Sequence, residues 1–191
     1  LEELRQETGI ARTIFAVCPN SLSVIRASFR AAKRNNAPIY FAATLNQIDG
    51  DGGYTGMTQS MFTKMLQFEA DRVNYTGCSI VAIDHGGPWL KDKQRVEKWS
   101  TEDAMNGVKK SFEDAVLAGY DLIHVDPTVD INVAKGDVID IHVVVRRTVE
   151  LINKDEELVA KETMLLTSKP VLYVCNVDEN SAVNGNKYVE R

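Results

Sequence analysis

Asp84 and His85 close an apolar run, Ser79-Ile-Val-Ala-Ile83, and Gly86, Gly87 and Pro88 follow at once. A carboxylate beside an imidazole is equipment for proton transfer, and an imidazole is also a common ligand for a divalent metal. A related pair stands at the end of Asp121-Leu-Ile-His-Val-Asp126, where His124 and Asp126 precede Pro127. Asn46 and Gln47 follow a third apolar run, Pro38-Ile-Tyr-Phe-Ala-Ala-Thr44. Each group also has a plain reading. Asp84 and His85 can simply cap a turn, His124 can be a satisfied core histidine, and Asp126 can be a turn carboxylate. Asn46 and Gln47 can be loop-formers rather than substrate-facing residues.

The elements that must hold these residues alternate along the chain. Residues 1–9 read as a helix closed by Gly9, and 13–17 as a strand. Ser21 caps a helix over 22–35 with Ile25, Phe29 and Ala32 on one stripe. Strand 38–44 leads into a glycine-rich loop, and Thr58 caps a helix over 59–74. Met61, Met65, Phe68 and Val73 fall at helical spacing there, and the two methionines read as core. Strand 79–84 is followed by a polar loop with Trp89 and Trp99, read as packing residues, then a helix over 102–118. Strand 121–126 precedes a helix over 138–153 with Asp137 as its cap.

Continuous apolar strands, as opposed to alternating ones, imply burial on both faces, and repeated βα units imply parallel crossovers. Such a pattern builds a doubly wound sheet or a (β/α) barrel. Polar residues recur at the strand ends: Asn20, Asn46 and Gln47, Asp84 and His85, then His124 and Asp126. That ring suits a barrel mouth, and no GxGxxG follows the first strand, which speaks against dinucleotide binding. Beyond Asn153, Lys154-Asp-Glu-Glu157 reads as a linker and 171–175 as one more strand, which ends at Asn176.

Composition narrows the function classes. The 191 residues carry a formal charge of −5, with 44% apolar and 26% charged residues. This is an ordinary soluble-protein balance without the basic excess that nucleic-acid binding needs. No run approaches the roughly 20 apolar residues of a membrane span. The start, Leu1-Glu-Glu-Leu-Arg5, lacks signal-peptide character, and its want of Met reads as a fragment or processed chain. Cys18, Cys78 and Cys175 are scattered and form no CxxC, as in a cytoplasmic protein with reduced thiols; Cys18 could also face a pocket.

Residues from about 10 to 152 resemble the accessory subunit of class II tagatose-bisphosphate aldolases. The resemblance rests on Ala43-Thr-Leu-Asn-Gln47, Gly52-Gly-Tyr-Thr-Gly-Met57, Asp84-His85 with Gly87-Pro88, Ile123-His-Val-Asp126 and Arg147-Thr-Val-Glu-Leu151. Ala42 stands where the family pattern has Glu. The resemblance implies a (β/α)8 barrel, of which 1–152 would be the N-terminal half with four βα units. Residues 153–191 would be a further α/β segment contributing at least one strand. It also implies Asp84 as the proton-transfer residue and His85 as a ligand of a divalent metal such as zinc; from their places at the strand ends, His124 is the candidate second ligand, and Asn46, Gln47 and Asp126 are the candidate contacts to a sugar phosphate. A catalytic aldolase subunit is the implied partner, in the cytoplasm; the open edge of a half barrel must be covered by the C-terminal segment or, through self-association, by another copy. Some members of that family bear an older label, tagatose-6-phosphate kinase, but no phosphate-gripping glycine loop is present here.

The segment Leu165-Leu-Thr-Ser-Lys-Pro-Val-Leu-Tyr-Val-Cys-Asn-Val-Asp-Glu179 is similar to the base-recognition strand of Obg-like ribosome-binding ATPases. That likeness implies nucleotide contacts by Asn176 and Glu179, and a fusion or chimera of two α/β folds. The P-loop such a protein needs for hydrolysis is absent from the sequence.

Overall fold

In the computed structural model, which describes residues 2–10, 13–134, 136–162 and 172–175, strands and helices alternate as the apolar runs require. Their order is α1 (Glu2–Thr8), β1 (Ala16–Val17), α2 (Leu22–Asn35), β2 (Ile39–Ala43), α3 (Gln59–Arg72), β3 (Ser79–Gly86), α4 (Asp92–Val96), α5 (Thr101–Leu117), β4 (Leu122–Val125), α6 (Ile141–Glu162) and β5 (Leu172–Cys175). All strand pairs are parallel, and the sheet order is β1-β2-β3-β4-β5.

That sequential order matters for the site. Crossovers of one hand between neighbouring strands place their helices on one face of the sheet; a doubly wound sheet would reverse order at some point. Phe41 of β2 meets Phe29 of α2 and Phe62 of α3, with ring centroids 5.1 and 6.3 Å away. The strand register puts Val81 and Ile83 of β3, and Ile123 of β4, on the same helix-facing side. These residues form the main buried core. Tyr40, Ala42, Ile80, Ala82 and Leu122 therefore lie on the opposite face, and Ala42 and Ala82 keep it shallow.

Ser21 and Thr58 cap their helices as expected, and Ser100 caps α5. Ser21 accepts from the Val24 N–H, Thr58 from Met61 and Ser100 from Asp103. Asn36 ends α2 in the left-handed region, and its N–H reaches the Ala32 and Lys33 carbonyls.

Other expectations are corrected. The first strand is only two residues long. The face that α3 buries is not Met61, Met65 and Phe68: Met61 and Phe68 are 52% and 60% exposed, and the buried positions are Gln59, Phe62, Leu66, Glu69 and Ala70. Two of these are polar, and each finds a charged partner, although Gln59 Oε1 has none among the described residues. Arg26 of α2 grips Glu69 with two bonds of 2.9 and 2.8 Å, and Gln59 donates to Asp49 at 2.9 Å. The loop after β3 contains a short helix, α4. Helix α6 starts at Ile141, not 138, and Asp140 replaces Asp137 at its head: its carboxylate accepts from His142 and its carbonyl from Val143. Helix α6 also runs on through 154–157, so that stretch is helix and not linker. The strand expected at 171–175 is β5, which pairs with β4 from Leu122↔Leu172 to Val125↔Cys175. The edge of β4 is therefore covered by this chain's own later segment. Asn176 and Glu179 lie outside the described residues.

Candidate functional site

Neighbouring residues on a regular strand point to opposite faces, so Asp84 and His85 should not share a site. A bulge brings them together. The β3–β4 register slips between Ile83 and Gly86, and His85 takes a left-handed φ of 53°. An extra residue of this kind bends a strand and re-aims its side chains, and it is common beside active sites. A non-glycine residue in this region costs on the order of 1 kcal/mol or more, which the surrounding bonds must offset.

Those bonds converge from β4. The Asp84 Oδ1 atom is 3.9 Å from His85 Nε2 and 3.5 Å from His124 Nδ1. One donor atom from each of Asp84, His85 and His124 lies within 4.8 Å of the others. The two imidazole rings are tilted, with centroids 5.0 Å apart, and the His85 backbone N–H lies 3.3 Å from His124 Nδ1, which accepts from it when unprotonated and donates to Asp84 when protonated. Behind them stands Asp126. Its Oδ2 is 2.7 Å from His85 Nδ1, and its Oδ1 accepts from the Thr128 hydroxyl and N–H. Asp126 is buried and His85 half exposed.

This arrangement fixes the chemistry of His85. A carboxylate at Nδ1 holds the proton there and leaves the Nε2 lone pair free, as in the carboxylate–histidine pairs behind metal ligands. Tetrahedral zinc ligands bound at 2.0–2.1 Å are about 3.3 Å from each other. The Asp84 distances of 3.5 and 3.9 Å need little contraction to match, so the donor set fits a divalent ion. The hydrogen bond to His124 holds the Asp84 carboxyl below its ordinary range, against the opposing effect of burial. Its partner moves the other way: the bond to Asp84 raises His124, and Asp126 adds to this. Burial pushes Asp126 up, but bonds from Thr128 and His85 outweigh it and leave the carboxyl lowered.

Asn46 and Gln47 are placed at the same strand-end rim and are bonded into it. Asn46 Nδ2 donates to the Leu90 carbonyl at 3.2 Å, and its Oδ1 accepts from the Asp92 N–H at 2.8 Å. Gln47 is buried, and its Oε1 accepts from the Thr44 N–H at 2.8 Å. The Gly52-Gly-Tyr-Thr-Gly-Met57 run folds back over them: Tyr54 N–H reaches the Asn46 carbonyl at 2.8 Å and the Thr55 hydroxyl the Gln47 carbonyl at 2.7 Å. Gly53 has φ 51°, and a Cβ there would stand 2.5 Å from the Gln47 oxygen. Lys91 then ties this loop to the one after β3, with Asp49 at 2.5 Å and Asp51 at 2.8 Å. Asn20 sits in an exposed turn after β1.

Two participants escaped the sequence reading. Thr128 had no signal beyond its place after Asp126. Arg147 did have one: a charged residue on the stripe that carries Val144 and Leu151. It is buried, its Nη2 donates to Asp130 at 2.6 Å, and its guanidinium lies 5.1 Å from the Trp89 ring centroid. No described helix is long and apolar enough to cross a membrane.

A sequentially ordered parallel sheet with an Asp–His–His cluster at the carboxyl ends of two neighbouring strands defines an α/β protein with a rim site of the kind such sheets build. The D-tagatose-1,6-bisphosphate aldolase subunit GatZ/KbaZ-like family matches residues 2–179. The chain belongs to that family. Among solved structures it is similar to a probable tagatose 6 phosphate kinase from Sinorhizobium meliloti 1021, at 25% identity and a TM-score of 0.69. That match covers 90% of this chain and 42% of the other, so this chain spans less than half the length of that relative.

Proposed function

We propose that the five strands are part of a (β/α)8 barrel, and that the rim at β3 and β4 serves a sugar phosphate in a class II, metal-dependent aldolase system. The chain acts there as an accessory subunit beside a catalytic aldolase subunit in the cytoplasm. The observation that carries this reading is His85, held at Nδ1 by Asp126 while its Nε2 lies 3.9 Å from Asp84, in a cluster with His124. Asp84 through one oxygen, His85 and His124 would hold the divalent ion, which leaves the second Asp84 oxygen for proton transfer; zinc is the natural choice for this donor set. A bound ion supplies Lewis-acid polarisation of a substrate carbonyl. Asp84, kept ionised by its neighbours, takes or returns a proton at its carboxylate oxygen. Asp126 fixes the ring that does the ligating, and Asn46 and Gln47 shape the loop that borders a substrate.

Purified protein should retain zinc after dialysis, and His85→Ala should lower the affinity for it at least tenfold. Protein that binds no divalent ion, or a variant that binds as well as the parent, would sink the metal reading. The competing reading, an Obg-like nucleotide-binding fragment or a chimera, rests on Asn176 and Glu179. The family match over residues 2–179 includes that segment, which supports a single-family reading. Thermal shift with ATP, GTP and tagatose bisphosphate separates the two: stabilisation by a nucleotide alone would favour the competitor.

A further inference from the structure

The loops that follow β3 and β4 adjoin His85 and Asp126, and one buried side chain on α6 touches both loops. Arg147 donates through Nη2 to Asp130 at 2.6 Å, in the loop after β4. The same guanidinium packs over Trp89, 5.1 Å from its ring centroid, in the loop after β3. Trp89 is itself immobilised. It is fully buried at a left-handed φ of 58°, its N–H donates to Gln94 Oε1 at 2.6 Å, and its indole N–H to the Trp99 carbonyl at 3.0 Å. Asp130 is likewise tied down: its Oδ1 accepts from the backbone and side-chain amides of Asn132. The remaining guanidinium nitrogens, Nε and Nη1, are buried with no hydrogen-bond partner among the described residues. Burying donors without partners costs free energy, and a side chain serving only as core filler would be better replaced by an apolar one.

We propose that Arg147 is a positioning residue, a brace that locks the β3 and β4 loops together and so holds the His85–Asp126 pair in register with Asp84 and His124. The planar cation suits the task because one flat group can stack on an indole and donate in its own plane to a carboxylate. Lysine keeps the charge towards Asp130 but cannot stack in the same way, so Arg147→Lys should restore only part of the effect. The inference rests on the metal reading for its consequence and on the loop geometry alone for its cause.

The test uses two readouts on the full chain. One is Co2+ affinity by titration, followed by visible absorption. The other is the NMR resonance of the His85 Nδ1 proton, moved downfield by its bond to Asp126 and readable without metal. Arg147→Met, confirmed folded by circular dichroism, should weaken Co2+ binding about tenfold, the lower range for residues that orient ligands, and should broaden or lose the imidazole resonance. Folded Arg147→Met that keeps both the parent affinity and the parent resonance overturns the proposal, since a merely structural role would lower thermal stability and move neither. If Arg147→Met does not fold, Arg147→Lys and Asp130→Asn take its place in the same two measurements: weaker Co2+ binding with a broadened resonance supports the brace, and parent values for both overturn it. Parent protein that takes up no Co2+ refutes the metal reading alone, and the imidazole resonance then decides the role of Arg147.

Discussion

Replacing Gly53 by alanine should damage the protein far more than replacing Gly56, although both glycines have a left-handed φ, 51° and 75° respectively. At Gly56 nothing lies within 4 Å of an added Cβ. Only the backbone preference is then lost, about 1–2 kcal/mol, partly offset by about 0.4–1 kcal/mol from the stiffer unfolded chain. A net loss of about 1 kcal/mol follows for Gly56→Ala. At Gly53 the same term applies, and the Cβ would also meet the Gln47 oxygen at 2.5 Å, the Gln47 carbon at 2.6 Å and the Asn46 oxygen at 2.7 Å. These are backbone atoms and cannot swing aside, so the loop must open by roughly 1 Å, at an overpacking cost of about 1–3 kcal/mol. Opening it also stretches the Tyr54 and Thr55 bonds to those carbonyls. Gly53→Ala should therefore lose about 2–4 kcal/mol in all. Urea unfolding of the two variants, with the midpoint converted through a common slope, measures the difference. A gap between them below about 0.5 kcal/mol would refute the claim that this motif exists to let two backbone segments touch.

Other expected outcomes are simpler. Asp126→Asn keeps the size of the side chain but weakens its hold on His85 Nδ1, and Co2+ affinity should fall about 10–100-fold. Phe68→Ser changes an exposed residue and should shift stability by no more than about 0.5 kcal/mol in urea, whereas Phe62→Ala, fully buried against Phe41 and Tyr120, should cost about 3–5 kcal/mol. The bond from Arg26 holds the Glu69 carboxyl below its ordinary range in the folded chain. The stabilisation it brings is fully present above about pH 4.3, the unfolded value, and is lost as pH falls through the lower folded value. The urea midpoint of the parent should thus drop more steeply with acid below that pH than the midpoint of Glu69→Gln; parallel curves would remove Glu69 from the acid response.

What could be read from the residues was whatever local chemistry dictates. Strands β2, β3 and β4 were visible because their apolar runs are continuous, and α2, α3 and α5 because Ser21, Thr58 and Ser100 are good caps. Asp84 and His85 stood out because a carboxylate and an imidazole at the end of a buried run have few plain uses. Long-range partnerships were not legible. The expectation placed Met61, Met65, Phe68 and Val73 on one stripe of α3 and gave Glu69 no part; its partner Arg26 stands 43 residues away, and the pairing belongs to a buried face turned away from that stripe. The stretch 154–157 read as linker by charge, yet lysine and glutamate are sound helix formers, and α6 simply continues through it. The bulge at His85 had no local signature, so the sharing of one site by two adjacent side chains could be assumed but not explained.

That bulge sets a parity rule. A strand assigns its residues to two faces by odd and even count, and the slip between Ile83 and Gly86 resets the count. The lower part of β3 can therefore be re-sequenced for packing without rotating the acid–imidazole couple. Removing Gly86, by contrast, would restore the regular alternation and send His85 to the helix side. The arithmetic of the segment, as much as its composition, is what a redesign of this rim would have to preserve.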